Sequence, residues 1–411
     1  MHKQVVIIGG GAAGFFAALN LAEQTPAEEI LILEKSNKLL SKVKVSGGGR
    51  CNVTHACFEQ KELSKHYPRG EKELLGPFHR FYTSDTIGWF DERGIELKVE
   101  EDGRMFPTTD SSQTIIDCFL NEADAKGISV WKQAEVKSVR KSDTFEISLS
   151  NNEQITADHL IIASGGHPKR KAYDWIEHLG HRITDPIPSL FTFNLPKHPS
   201  NQLMGLAQNA TVKIKGLNAE ACGPVLFTHW GMSGPAVLKL SAVAADFLHA
   251  KNYKFDYEVE WMANAADYIQ TQREQSANKQ VNLSKPSDFS KRFWAYLLDR
   301  ARVPEKLNWA DLNKLQLLDL QQVIEKDFYQ AAGKTTFKEE FVTCGGVNLK
   351  EINMKSMESK LVPGLYFAGE VINVDGLTGG FNFQAAWTTA WLAAIAIAQS
   401  VPEETKKRKN Q

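Results

Sequence analysis

Three glycines, Gly9, Gly11 and Gly14, spell G-x-G-x-x-G where an apolar run gives way to an alanine-rich stretch. At a strand-to-helix junction the first glycine permits the tight turn, the second lets backbone approach a pyrophosphate, and the third brings helix and strand together. The first helical turn, which includes Ala13, then presents unpaired N–H groups and the positive end of the helix dipole to two phosphates. Glu34 follows Gly14 by 20 residues, where a carboxylate accepts hydrogen bonds from a ribose diol and repels a 2′-phosphate; Lys35 adjoins it. This pattern predicts dinucleotide binding. NAD and FAD share the adenosine and pyrophosphate half, so it does not separate them.

Two further segments carry chemistry. In Ser46-Gly47-Gly48-Gly49-Arg50-Cys51-Asn52-Val53-Thr54, three glycines let backbone come within contact of a flat ring or a phosphate, and Arg50 adds a bidentate charge. Cys51 has no resolving thiol nearby, so a loop or packing role stands beside a redox one. Near the C-terminus, the strand-like Gly364 to Gly369, Glu370, and a loop bearing Gly376, Gly379 and Gly380 lead through Phe381 and Asn382 into a long helix. In a flavin site that helix start would stabilise charge developing on the reduced ring and raise its potential. His229, in the patterned loop Phe227 to Pro235, reads either as a proton donor, since an unperturbed imidazole titrates close to neutral pH, or as a histidine bonded within its loop. Trp230 beside it reads as pocket or core. His55, His66, His79 and His178 show no metal-ligand spacing, and no metal is predicted.

The elements that must position these residues follow an α/β pattern. Val5 to Ile8 is a continuous apolar strand, Ala12 to Glu23 a helix, and Ile30 to Leu33 a second buried strand. Helices are predicted over Ser84 to Arg93 and Gln113 to Lys126, each stopped by a glycine. Alternation of period two then predicts strands around Val136 to Val139, Thr144 to Leu149 and His159 to Ile162, closing on Ala163-Ser164-Gly165-Gly166. A proline-rich entry near Pro186 opens an inserted domain. Its first half carries strands such as Ala210 to Ile214 and Phe255 to Trp261. Its second half is helical, with Phe289, Phe293, Tyr296 and Leu297 on one face and Leu312, Leu315, Val323 and Ile324 on another. The expected layout is residues 1–188 and 336–411 as one domain, with an insert over 189–335 that is β-rich over 189–262 and mainly helical over 263–335.

The 411 residues balance 48 Lys and Arg against 49 Asp and Glu, so no global positive field would hold nucleic acid or anionic lipid. Five cysteines, odd in number and without a C-x-x-C pair, argue against disulfides and structural zinc and for a reducing, cytoplasmic setting. The longest apolar stretch, Ala385 to Ala398, falls short of the roughly 20 residues of a membrane span. The apolar start is interrupted by glycines, unlike a signal peptide. The basic tail Lys406, Lys407, Arg408 and Lys409 reads as a solvated end.

The glycine unit, the Ala163 to Gly166 turn and the Phe367-Ala368-Gly369-Glu370 strand end together resemble the FAD domain of glutathione-reductase-type flavoproteins. More narrowly, Ser46 to Thr54, Gly103 to Pro107, Phe227 to Pro235, Thr343 to Val347 and Gly376 to Gln384 resemble the bacterial BaiN/RdsA-like flavoproteins, also called aminoacetone-oxidase-family or NAD(P)/FAD-dependent oxidoreductases. The resemblance implies an α/β fold: an FAD-binding Rossmann domain with an inserted β-rich and helical domain over a noncovalent flavin. It places Gly9, Gly11, Ala13, Gly14, Glu34, Lys35, Ser46, Gly48, Gly49, Arg50 and Asn52 at the cofactor. It adds Ala163, Ser164, Gly165, Gly369, Glu370, Gly380, Phe381 and Asn382, with Val136 meeting adenine through its backbone. Asn373 and Phe381 depart from the Asp and Tyr common in that family. The implied activity is hydride exchange between flavin N5 and a small organic substrate, by amine or ketone oxidation or by reduction of an activated C=C bond. With one dinucleotide fold visible, NAD(P)H would visit transiently. A flavin-binding redox sensor or assembly protein without turnover is one alternative, and a flavin-dependent RNA-modifying enzyme, disfavoured by the charge balance, is another.

Overall fold

The computed structural model describes residues 1–304, 306–335 and 342–400. The basic tail at 406–409 lies outside the described residues. Contacts divide the chain into two compact units, Met1–Pro188 with Phe337–Gln411, and Ser189–Thr336.

In the first unit, β-branched and leucine runs with no polar face form strands buried on both sides. Val5, Val6, Ile7 and Ile30 to Ile32 are fully buried. The main sheet runs Ile352–Asn353, Glu358–Ser359, Leu365–Phe367, Gln154–Ile162, His2–Ile8, Ile30–Leu33, Ser129–Trp131. Its last five strands pair in parallel, with Val5 opposite both Ile30 and His159 and with Phe367 opposite Ile162. The sheet therefore joins the N-terminal strand and a strand some 360 residues later through one shared neighbour. Helices Ala12–Leu21, Ser112–Lys126 and Phe381–Ser400 pack through large rings: Trp387 lies 5.1 Å from Phe16 and 5.7 Å from Phe119, centroid to centroid. Ser111 caps Ser112–Lys126 by accepting from the Gln113 N–H, and Gly127 ends it at φ 76°. The helix expected over Ser84 to Arg93 spans Thr83–Asp91. Tyr82 stands at its N-cap in place of a Ser or Thr, and the Asp85 carboxylate accepts the Tyr82 N–H at 2.9 Å.

The second unit is built on an antiparallel sheet ordered Asp327–Ala332, Lys254–Glu260, Ala207–Ile214, Glu220–Phe227, Gly231–Ser233, Thr192–Asn194, Lys334–Thr335. Its alternating inner residues, Val212, Ile214, Tyr257, Val259 and Tyr329 among them, bury against the helices Pro235–Val243, Lys291–Arg300 and Lys314–Glu325. Two of the strands come after those helices, so the division into a β half and a helical half is only approximate. Phe289, Phe293, Tyr296 and Leu297 are all buried. Leu315, expected on a buried face with Leu312 and Ile324, is 67% exposed. Leu312 precedes the helix and follows no helical register with it, so the inward stripe is set by Leu320 and Ile324 instead.

Candidate functional site

The glycine motif of the first unit is a set of backbone close approaches. A Cβ on Gly14 would lie 1.9 Å from the Gly9 carbonyl oxygen, and one on Gly9, where φ is 121°, would lie 2.2 Å from the Ala163 oxygen. A side chain on Gly14 would push the helix Ala12–Leu21 off the end of the strand His2–Ile8, and one on Gly9 would push that strand's end off the Ala163 turn, so these glycines set the helix start directly at the strand end. The Gly9 N–H donates to Leu33 O at 2.8 Å, which fixes the turn. Glu34 sits beside it: its carboxylate accepts the Gly10 N–H at 2.9 Å and the Ser36 N–H at 2.8 Å. Its backbone N–H donates to Trp131 O, and its carbonyl accepts the Ala134 N–H. Half-buried Val136 follows two residues later. Lys35 is exposed; burial, and after it the Lys35 charge, push the nearby His167 imidazole below its ordinary value.

The second segment turns on consecutive left-handed residues: Gly47, Gly48 and Gly49 at φ 57°, 70° and 87°, then Cys51 at 62°. At Gly47 a Cβ would strike Phe106 at 2.7 Å, whereas at Gly48 and Gly49 it would meet no protein atom within 4 Å. Both glycines are exposed, and Ser46 and Gly47 are half-buried. Packing therefore does not explain Gly48 and Gly49; backbone conformation and the open space over them do. Arg50 turns away from that space: its guanidinium lies 3.9 Å from the Phe106 ring centroid, pairs with Glu100, and stands 3.5 Å from Asp110. Cys51 is fully buried, and burial raises its thiol to about 12, against a smaller opposing pull from Ser46.

The third segment closes on the other two. A Cβ on Gly369 would lie 2.9 Å from the Ala13 Cβ, so the late strand's end abuts the first helical turn. Ser164 is exposed and Gly165 has φ 72°. Glu370 is held inside the protein: it accepts the Thr343 N–H at 2.8 Å and pairs with Lys42. Gly380 approaches Thr54 so closely that a Cβ would lie 2.4 Å from its carbonyl oxygen. With its amide oriented to satisfy its neighbours, Asn52 donates to Thr54 O at 2.9 Å and accepts the Gly380 N–H at 3.0 Å. Asn382 clasps its own loop, accepting the Gly376 N–H and donating to Gly376 O, both at 2.8 Å. The Phe381 ring stacks with both His55 and His66, at 4.5 and 4.2 Å between centroids, and the two imidazoles lie 6.0 Å from each other.

The residues expected at a cofactor thus assemble in this unit, with backbone toward the open space and several side chains turned inward. Sequence reasoning missed those that hold the assembly. Gln384 accepts from the Thr54 and Thr86 hydroxyls at 2.6 and 2.9 Å, Trp387 donates its indole N–H to Val53 O at 2.9 Å, and Arg69 pairs with the fully buried Asp375. Gln384 stands just before the apolar run Ala385 to Ala398 and Trp387 within it, a visible but unspecific signal. Asn373, the departure from the family pattern, is half-buried, and its amide reaches Thr184 at 3.4 Å. In the second unit, His229 is exposed between the strands Glu220–Phe227 and Gly231–Ser233, its ring centroid 3.7 Å from that of Trp230. Thr228 braces the loop, its hydroxyl donating to Gly231 O at 2.9 Å and accepting the Gly231 N–H at 3.1 Å.

The donor set and cradle fit FAD: amides at a helix start for the pyrophosphate, a carboxylate at the second strand's end for a ribose, and glycine backbone beside open space for a flat ring.

Comparison with known proteins supports the same assignment. The family model described as HI0933-like protein Rossmann domain matches residues 3–396. A ribosomal RNA dihydrouridine synthase of Escherichia coli K12 is 32% identical over 406 residues, covering 95% of this chain and 96% of that protein. The 3-dehydro-bile acid delta(4,6)-reductase of Clostridium scindens is 25% identical over 418 residues, covering 97% and 99%. Among solved structures, the 3-ketosteroid-delta4-(5alpha)-dehydrogenase of Rhodococcus jostii RHA1 superposes with a TM-score of 0.52 at 11% identity, covering 97% of each chain, a likeness of fold.

Proposed function

Because this chain belongs to the HI0933-like Rossmann family and is an FAD-dependent oxidoreductase, we propose that it reduces a C=C bond conjugated to a carbonyl, the substrate being uridine in ribosomal RNA. The observation that carries the reading is the cradle over Gly48 and Gly49, where no protein atom lies within 4 Å of the place a Cβ would take. The substrate class comes from the relatives. Dihydrouridine formation and delta(4,6) reduction both saturate a double bond conjugated to a carbonyl, and the 32% relative bears the RNA name. The proposal departs from the expectation drawn from net charge. A charge of −1 is a sum over the whole chain, whereas RNA contact needs only a local basic surface.

FAD bound at the cradle would supply hydride, with NADH or NADPH as the external two-electron donor. The chain's own part is positioning and charge. Amides of the first turn of Ala12–Leu21 hold the pyrophosphate, Glu34 orients the ribose, and the N-terminus of Phe381–Ser400 places positive potential where negative charge develops. Saturating uridine takes hydride at C6 and a proton at C5. His229, exposed in its braced loop, is the proton-donor candidate that the variant below tests.

The test is to incubate the FAD-loaded protein with NADPH or NADH and protein-free ribosomal RNA lacking dihydrouridine, then to digest and weigh the nucleosides. Dihydrouridine should appear, and His229→Asn should lower its rate while leaving FAD binding unchanged. A steroid 4,6-dien-3-one serves as a parallel substrate. Reduction of the dienone but not of RNA would replace the substrate, and reduction of neither would end the proposal.

A further inference from the structure

At one end of the sheet in residues 189–336, four lysines converge from separate stretches of chain. Lys215 follows the strand Ala207–Ile214, and its amide donates to Asp256 O at 3.0 Å. Lys254 opens the strand Lys254–Glu260 opposite Ala332, Lys251 follows the helix Ala245–Ala250, and Lys334 opens Lys334–Thr335. The neighbouring Gly333 donates its N–H to Tyr253 O at 2.8 Å, joining the last two stretches. Three of these ammonium groups lie over aromatic rings: Lys334 over Tyr253 at 4.8 Å, Lys215 over Phe328 at 5.7 Å and Lys251 over Phe247 at 5.8 Å.

Among the described residues none of the four has a carboxylate within 4 Å, whereas nearby Lys213 pairs with Glu220 and Glu260. Of the acids here, Asp246 is on the helix before Lys251, Asp256 accepts from Gln330 at 3.2 Å, and Glu258 stands opposite Phe328, the ring under Lys215.

The turn that presents Lys251 and Lys254 is strained. Asn252 and Tyr253 both lie in the left-handed region, at φ 50° and 56°, a conformation costing roughly 1–2 kcal/mol per residue and seldom adopted by a bulky side chain. Three bonds hold it: Asn252 N–H to His249 O, Tyr253 N–H to Leu248 O and Lys254 N–H to Lys251 O, at 2.8, 2.9 and 3.1 Å.

We propose that this lysine-rimmed end of the sheet docks the phosphate backbone of the RNA substrate. It rests on the RNA reading above. Phosphates are neutralised by unpaired ammonium groups, and the interleaved rings match the cation-and-aromatic make-up of single-strand binding surfaces. Along Ala207–Ile214 and Glu220–Phe227, Lys215 lies at the end opposite the His229 loop, about eight residues of extended chain or roughly 25 Å away, whereas Lys334 stands opposite Phe193, itself opposite Met232, on the side nearer that loop. An extended RNA strand anchored at the lysines would run along the sheet toward that loop.

The test uses the full-length FAD-loaded protein and fluorescein-labelled oligouridine, with affinity measured by anisotropy across a salt series. The variant K215Q/K251Q/K254Q/K334Q should bind more than tenfold more weakly, and its slope of log affinity against log salt should fall by about 3, at about 0.7 per lost phosphate contact. A control, K72Q/K132Q/K137Q/K171Q in the other unit, should match the parent protein. Lys215→Gln and Lys334→Gln singly should each remove about 0.7 of slope, which guards against misfolding of the quadruple variant. Equal losses in both quadruple variants, unchanged affinity, or a parent protein that does not bind the probe would each overturn the proposal. Dihydrouridine formation is scored separately. Its persistence with unchanged affinity would sink the docking surface alone, and its absence despite lysine-dependent binding would sink the substrate reading alone.

Discussion

Gly48→Ala separates two reasons for a glycine. At φ 70° an alanine strains the backbone by roughly 1–2 kcal/mol. No protein atom lies within 4 Å of the new methyl, so the cost to the apoprotein stops there. At about 2–4 °C per kcal/mol for a domain of this class, the apoprotein should melt about 2–8 °C lower. With FAD seated over the loop, the same methyl intrudes on the ring. Overpacking of that kind costs about 1–3 kcal/mol, equivalent to about 5- to 150-fold weaker binding. The assay pairs differential scanning fluorimetry of the apoprotein with an FAD titration followed by quenching of flavin fluorescence. If affinity stays within about twofold while melting falls, these glycines serve backbone geometry alone and the cofactor lies elsewhere. Gly14→Ala is the contrasting case. Its methyl would lie 1.9 Å from a backbone oxygen, so the damage should already be complete in the apoprotein.

Glu34→Gln removes the charge beside the Gly10 and Ser36 amides and should weaken FAD several-fold with little change in melting, read by the same titration. Burial raises the thiols of Cys51 and Cys118 to about 12 and about 11, while Cys222 is exposed. A thiol reagent at about pH 8 should therefore label Cys222 first and leave Cys51 untouched until unfolding, as read by peptide mass mapping. Glu351 is buried, which works against ionisation, but its bonds to Arg182 prevail and hold it below the ordinary glutamate value. A carboxylate lowered in the native state adds stability above its unfolded titration, near pH 4.3, and loses it as pH falls through the native value. Glu351→Gln should flatten that acid limb in urea melts run across the pH range.

The parallel sheet was legible because burial on both faces leaves unbroken apolar runs, and the glycine motif because its conformational demands admit few other residues. The long C-terminal helix shows for a similar reason, though it starts at Phe381, three residues before its periodicity becomes clear. What stayed hidden depends on distant chain segments. Arg50 looks like an anion ligand in sequence, and only folding brings Glu100 and Asp110 to it. Phe381 and Asn382 sit in a cofactor-like pattern, yet their side chains brace the loop, because His55, His66 and Gly376 reach them only in three dimensions. Leu315 fits a helical face on paper, but the helix begins too late to share a register with Leu312.

The first unit is discontinuous, and the strand Leu365–Phe367 completes its sheet beside Gln154–Ile162. During synthesis, then, the ribosome has made the whole of residues 189–336 before the second parallel neighbour of that middle strand exists, its first being His2–Ile8. The insert, contiguous in sequence, acquires its core while the nucleotide-binding half still waits with an open β edge. Newly made chains are thus most exposed to aggregation late in translation, and a nascent protein stalled anywhere before the last helix would have a formed insert and no means of closing around a nucleotide.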